Sequence, residues 1–267
     1  MLKDLSSTAK NIRSDLIKML ERASWGSATC LGMVDILVAL YFGGMNHDPT
    51  KPDWKDRDRL VLSNTHCAPA LYATLAHAGY FSKKTLLTFT QRGSTLQGRP
   101  TPECRGVEIA SGNPGNGLSL ACGISLAAKM EHKKNHTFCT LGDGENQTGT
   151  IWEAALFAAK EKLRLTALVD RNNIQGDGNT EHVNALGDLA AKYRAFGWHT
   201  IEVDGHNIAQ MLDAITQSKR HTSPTAIIAH TTSGKGVKFI HHDHHWHKPF
   251  TAAQAALANA HLRHEAA

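Results

Sequence analysis

Gly142-Asp143-Gly144-Glu145 and, 29 positions beyond Asp143, the asparagine of Val169-Asp170-Arg171-Asn172-Asn173-Ile174 decide how this chain folds. Each cluster follows a short apolar run, residues 137–141 and 165–169. Such runs bounded by turn residues predict buried parallel strands, and residues 152–162 between them predict a crossover helix. Both polar clusters then fall at the carboxyl ends of adjacent strands, where open α/β sheets bind ligands. A carboxylate and an amide oxygen held there suit a hard cation such as Mg²⁺, which leaves its other positions to water and phosphate oxygens. Gly144 lets a backbone N–H approach a phosphate without a side chain in the way. A lone Gly-Asp-Gly is most often ordinary turn chemistry. Two such clusters one helix apart are far more specific, and they read as a diphosphate held through a metal.

Working outward, residues 5, 9, 12, 16 and 20 are apolar at helical spacing and predict an amphipathic opening helix. A more fully buried helix is expected over 33–42, a short strand over 59–62 and a helix over 68–78. The glycine-rich Gly112-Asn113-Pro114-Gly115-Asn116-Gly117 opens a helix that runs to residue 130. Strands at 199–203 and 225–230 flank a helix over 208–219, and the alanine-rich tail after residue 248 reads as a short helix or a frayed end. The alternation predicts an α/β domain, a mostly parallel sheet covered by helices on both faces. No linker, composition shift or repeat interrupts it, so residues 1–267 are read as one domain.

The 267 residues suffice for a sizeable core, and 41% hydrophobic with 20% charged residues is the balance of a globular protein. No apolar run reaches membrane-spanning length, and charged residues interrupt any secretory segment at the amino terminus. Five cysteines without a Cys-x-x-Cys pair read as reduced, buried thiols of a cytoplasmic protein. The net charge of +5 comes without a basic stripe, which argues against nucleic acid as a partner.

The two polar clusters resemble the thiamine diphosphate signature, a Gly-Asp-Gly followed about 30 residues later by Asn. From about residue 12 to residue 247 the chain is similar to the amino-terminal, diphosphate-binding part of the transketolase family. The marks include Asp56-Arg57-Asp58-Arg59, Ala68-Pro69-Ala70-Leu71-Tyr72, Ala195-Phe196-Gly197-Trp198-His199, Glu202-Val203-Asp204-Gly205-His206 and Ile228-Ala229-His230-Thr231. The resemblance implies thiamine diphosphate with Mg²⁺ or Ca²⁺ as cofactors. Asp143, Asn172 and the carbonyl of Ile174 would ligate the metal, and Gly144 would meet the diphosphate. Gly112, Asn113 and Pro114 fall where the family places Gly-Pro-Leu beside the thiazolium and aminopyrimidine. His66 matches a histidine that reaches the diphosphate, and His230 one between diphosphate and substrate. Both are expected as catalytic and cofactor-binding residues, although a lone histidine among 17 is by default a surface or packing residue.

The departures from the family concentrate where substrate would lie. Gly26 in Ser24-Trp25-Gly26-Ser27 and Arg99 in Gln97-Gly98-Arg99-Pro100 each replace a histidine that handles substrate oxygens. Thr148 replaces a glutamate between the two cofactor sites of a dimer. Arg99 could pair an anionic group bidentately, or simply pair with Glu103 or Glu108. The run His241-His242-Asp243-His244-His245-Trp246-His247 invites a zinc reading, but its spacing fits no structural zinc pattern. It reads as a solvated loop at the mouth of the site with adventitious metal binding. Trp152-Glu153 is expected at a subunit contact.

The resemblance implies the amino-terminal subunit of a split transketolase-like enzyme, transferring a two-carbon ketol or acyl unit to an aldehyde. The pyrimidine-binding and carboxyl-terminal domains would come from a partner chain, with an α2β2 heterotetramer as the expected assembly. The rival enzyme reading is the α subunit of a 2-oxo-acid dehydrogenase E1 component, and a rival of another class is a non-catalytic regulatory or scaffolding subunit.

Overall fold

The computed structural model describes residues 2–264. Its strands are β1 (Arg59–Leu62), β2 (Thr137–Gly142), β3 (Leu165–Arg171), the two-residue β4 (Ile174–Gln175) and β5 (Gly178–Asn179), β6 (His199–Asp204) and β7 (Thr225–His230). The helices are α1 (Leu2–Arg22), α2 (Val34–Ala39), α3 (Ala68–Ala78), α4 (Asn116–Met130), α5 (Gly149–Glu161), α6 (Thr180–Val183), α7 (Leu189–Ala195), α8 (Ile208–Arg220) and α9 (Ala252–His264). Five strands form one parallel sheet in the order β1-β2-β3-β7-β6, and β4 pairs antiparallel with β5 in a small hairpin. The fold read from the sequence is therefore present.

Period-two alternation in the central strands feeds two cores. Phe138 of β2 and Leu168 of β3 face one layer with α1, α2, α3, α8 and α9. Cys139, Leu141, Ala167 and Val169 face the other with α4, α5 and α7. Both faces are thus dry, which explains the near-continuous apolar runs. Each large side chain buried there contributes about 1.5–3 kcal/mol.

The winding places the site. β1, β2 and β3 lie side by side in chain order; the chain then passes over one position to lay β6 at the edge and returns to put β7 beside β3. The direction of winding reverses between β3 and β7, so a crevice opens at the carboxyl ends of those strands.

Two segments differ from expectation. The helix expected over 33–42 is α-helical only over Val34–Ala39, entered through a 3₁₀ turn at Ala28–Met33 and left through a wider turn at Leu40–Gly44. Helix α7 was hidden in the sequence because only its Leu189, Ala190 and Tyr193 are buried, too short a pattern for a period to show. All five cysteines are buried and unpaired. Among the described residues no helix is long and apolar enough to cross a membrane.

Candidate functional site

The turn after β2 is fixed from beneath by Asn146, which is fully buried. Its Nδ2 donates to the Gly142 carbonyl (2.7 Å) and its Oδ1 accepts from the Tyr193 hydroxyl (2.8 Å). This holds Asp143 at the mouth of the sheet with its side chain out of solvent. Asp143 Oδ1 accepts from Arg171 Nη1 at 3.1 Å, and Oδ2 accepts from the Asn173 N–H and, at 3.4 Å, from the Thr180 hydroxyl. Arg171 reaches on to Glu181 Oε1 at 2.7 Å, and Glu181 in turn accepts the Leu186 and Gly187 N–H groups. After β3, Asn172 donates to Asp170 at 3.0 Å and accepts the Ile174 N–H at 2.9 Å, so its amide oxygen is held in one orientation.

A cleft of about 320 Å³ opens over these groups, within the range of small-ligand sites. It is lined by Gly142, Asp143, Gly144, Glu145, Asn172 and Ile174 from the two strand ends. Thr29, His66, Pro114, Ser233 and His247 complete it from other elements, with Gln175 and Gly176 at the hairpin. The glycine-rich loop reaches this cleft because α4 packs tightly at its start. A Cβ on Gly117 would stand 2.3 Å from Ser63 Cβ, so only glycine fits against the end of β1 there.

The electrostatics of the cleft are set by burial. Burial raises the Asp143 carboxyl, with Arg171 offsetting part of the effect. Burial also pushes Asp170 up to about 6, and the neighbouring Asp143 charge adds to the rise. Of the two only Asp143 lines the cleft, and a hard cation beside it would relieve the crowding of its charge against the buried Asp170. Glu145 is pushed up to about 8 by burial and stands neutral at pH 7. His66 is exposed onto the cleft, and desolvation by the protein atoms that crowd it there, followed by nearby His247, pushes it down to about 4. It is therefore a neutral imidazole at pH 7. Thr29, Ser233 and Glu145 line the same cleft, and both hydroxyls and one Glu145 oxygen are buried without a hydrogen-bond partner among the described residues. Unmade hydrogen bonds of this kind cost about 1–3 kcal/mol each, and a polar ligand recovers them. A carboxylate, a fixed amide oxygen, orphan hydroxyls and a neutral histidine fit a metal-bound diphosphate.

The structure gathers Asp143, Gly144, Asn172, Ile174, His66 and Pro114 around one cleft. It does not bring the others there. His230 ends β7 with about half its side chain in solvent, bonded to Glu202 Oε2 at 3.2 Å, and it does not line the cleft. His247, from the histidine-rich loop, lines the cleft. Gly112 and Asn113 also lie outside the lining; the Gly112 carbonyl and Asn113 Oδ1 instead accept from Arg99 Nη1 at 3.3 and 3.2 Å. Arg99 thus pairs with neither Glu103 nor Glu108, and Glu108 is held by Arg57 and Arg59. Gly26 faces no open space: a Cβ there would stand 1.7 Å from the His247 carbonyl oxygen, so the loop has filled the position. Trp152 packs within the chain on Tyr193 and Phe196 and donates to the Asn146 carbonyl at 3.0 Å.

Thr29, Glu145, Arg171, Ser233, Gln175 and His247 were missed as site residues. Serine and threonine carry no spacing signal, and a histidine at the end of a histidine run is masked by its neighbours. Within that run, Asp243, His244 and His245 place one potential ligand atom each within 4.8 Å of one another, while Trp246 is buried against Phe239 and Phe250.

Carboxyl-end loops of a parallel sheet that combine a Gly-Asp-Gly turn with a following asparagine over one cleft define a diphosphate-binding α/β domain. The family model described as transketolase, thiamine diphosphate binding domain, matches residues 5–265, and the chain belongs to that family. It is 40% identical over 240 residues to the 6-deoxy-6-sulfo-D-fructose transketolase subunit SqwG of a Clostridium species, covering 88% of this chain and 87% of that protein. It is 38% identical to one of the subunits of the apulose-4-phosphate transketolase of Phocaeicola vulgatus, covering 86% of this chain and 81% of that one. Human transketolase is 35% identical over 92% of this chain, which spans only 40% of that enzyme. The crystal structure of Campylobacter jejuni transketolase superposes with a TM-score of 0.91 at 30% identity, over 97% of this chain and 42% of that one. The chain is thus a transketolase-like transferase domain that corresponds to the amino-terminal part of the longer enzymes.

Proposed function

We propose that the chain is the cofactor-binding subunit of a two-subunit transketolase, moving a two-carbon unit from a ketose or 2-oxo donor to an aldehyde acceptor. The observation that carries this reading is the convergence of Asp143, Asn172 and the orphan hydroxyls of Thr29 and Ser233 on one cleft at the switch point. The relatives named as subunits match this chain over most of their own length, which supports a separate partner chain. Asp143, the Asn172 amide oxygen and the Ile174 carbonyl would hold Mg²⁺ or Ca²⁺, with Gly144 and the two hydroxyls on the diphosphate.

When bound, thiamine diphosphate supplies the nucleophilic carbon and electron sink for two-carbon transfer. The chain's own residues orient and shield. His66, neutral at working pH, can exchange a hydrogen bond with ligand oxygens without adding charge. His247 closes the same wall, and Pro114 keeps one side apolar. The partner would bring the pyrimidine-binding half of the site in an α2β2 assembly, in the cytoplasm. A non-catalytic scaffold has no need of orphan hydroxyls and the buried Asp143 carboxylate in one cleft, which favours the enzyme reading.

Calorimetry of thiamine diphosphate and Mg²⁺ binding, with and without a pyrimidine-domain subunit, tests the proposal. Micromolar binding by the complex is expected. No heat under either condition would refute it.

A further inference from the structure

A second cleft, of about 440 Å³, adjoins the first and shares His66 and Pro114 with it; Trp25, Thr65, Gly98 and Arg99 form the rest. Nothing in the cofactor reading uses it. Its floor is built by the Trp25 indole, which lies so close to Gly98 that a Cβ there would stand 2.7 Å from the ring. Phe89 braces the indole edge-to-face at 5.6 Å. Arg99 is held in place through one nitrogen only, Nη1, by the Gly112 carbonyl and Asn113 Oδ1. Its Nε and Nη2 have no partner among the described residues. Among the described residues no acidic side chain lines this cleft, and with His66 neutral at pH 7 Arg99 is the one fixed charge they place there.

An anchored guanidinium with two donors to spare, above an aromatic floor and beside a metal–diphosphate site, is suited to a planar or tetrahedral anionic group. We infer that Arg99 and Trp25 form an anion-selective substrate subsite, in which Arg99 binds a carboxylate, phosphate or sulfonate of the two-carbon donor or its acceptor while Trp25 packs against the adjoining carbons. This rests on the transferase reading for what the ligand is, but not for whether an anion binds. Of the two departures noted in the sequence, Gly26 is consumed by the His247–Lys248 backbone and only Arg99 faces open space.

The test has two arms. In the chain alone, inorganic phosphate, acetate and methanesulfonate are titrated at constant ionic strength in chloride, with erythritol as the uncharged control. Tryptophan fluorescence is read, and Trp25→Phe assigns the signal. The subsite predicts saturable quenching by at least one anion and none by erythritol, weakened about 10- to 100-fold in Arg99→Gln and partly restored in Arg99→Lys, the span of one charge-assisted hydrogen bond. The anion that binds tightest identifies the source. Anion binding equal in the unaltered chain and Arg99→Gln, or no saturable response, would overturn the subsite. In the second arm, the complex with a pyrimidine-domain subunit is given anionic and neutral donors. A rise in KM confined to anionic donors in Arg99→Gln supports the subsite, and equal losses on both classes count against it. A complex inert on every donor, with Arg99-dependent anion binding intact, would instead sink the transferase reading and leave the subsite standing.

Discussion

Replacing Asp143 separates what holds the fold from what holds the cofactor. In Asp143→Ala, Arg171 Nη1, the Asn173 N–H and the Thr180 hydroxyl lose their acceptor together. Breaking a buried ion pair outright costs about 3–5 kcal/mol. Arg171 keeps Glu181 at 2.7 Å, on a carboxylate about one-third exposed, so part of its charge stays compensated. The lower end applies, about 3 kcal/mol, against a total stability of about 5–15 kcal/mol for a domain. The protein should stay folded at 25 °C with a clearly lowered urea midpoint. Asp143→Asn keeps the shape and one acceptor oxygen but removes the charge, so its stability loss should be smaller. Both variants should lose Mg²⁺-dependent thiamine diphosphate binding by two orders of magnitude or more, because a neutral ligand leaves the cation and diphosphate uncompensated in a dry site. Urea titration paired with calorimetry reads both quantities. Cofactor affinity in Asp143→Asn within threefold of the unaltered chain would refute the assignment of Asp143 as the cation's ligand, whatever the stability data show.

Three further outcomes follow from the packing and the charges. Gly26→Ala puts a Cβ 1.7 Å from the His247 carbonyl oxygen, backbone against backbone; a stability loss of about 1–3 kcal/mol by thermal unfolding is expected, and an unchanged midpoint would show that the 247–248 segment sits elsewhere in solution. Thr29→Val with Ser233→Ala satisfies the empty cleft by removing its orphan hydroxyls, so stability without ligand should hold or rise while thiamine diphosphate binding weakens about tenfold or more; equal weakening of both would contradict the role given to the hydroxyls. His136, whose Nε2 lies 2.7 Å from the Thr166 hydroxyl, is pushed down to about 3 by burial, against about 6.5 when unfolded. Its folded value being the lower, the stability it contributes is complete above pH 6.5 and is lost as pH falls towards 3, by about 3 kcal/mol at pH 4, so His136→Gln should flatten the acid limb of a stability profile; an unaltered slope would count against a buried neutral imidazole.

The central strands and the flanking helices were legible because their burial is two-sided or strictly periodic. Residues 137–141 and 165–169 carry no charged side chain to confuse the reading, and the Asp143 and Asn172 clusters gained their meaning from the strands before them. Helix α7 and the turns around α2 were not legible, since each has too few residues for a period to emerge. At the site, charged and glycine positions announced themselves, whereas Thr29 and Ser233 look like any other hydroxyl until a cleft leaves them unpartnered. His230 was misplaced for a similar reason. A histidine closing an apolar strand looks aimed at the crevice, yet the half-exposed strand β6 beside it offers Glu202 as a partner on the outer side. Gly26 and Arg99 were visible as departures, but only the structure tells them apart: one is packed against backbone, and the other reaches open space.

The most direct test of the account is reconstitution of two-carbon transfer from four separable components: this chain, a pyrimidine-domain subunit, thiamine diphosphate and Mg²⁺. Ketol or acyl transfer to an aldehyde, followed by mass spectrometry of the product, is expected only when all four are present, and is expected to be lost when Asp143→Asn replaces the unaltered chain. Turnover that persists without this chain, or that the Asp143→Asn chain supports in full, would contradict it.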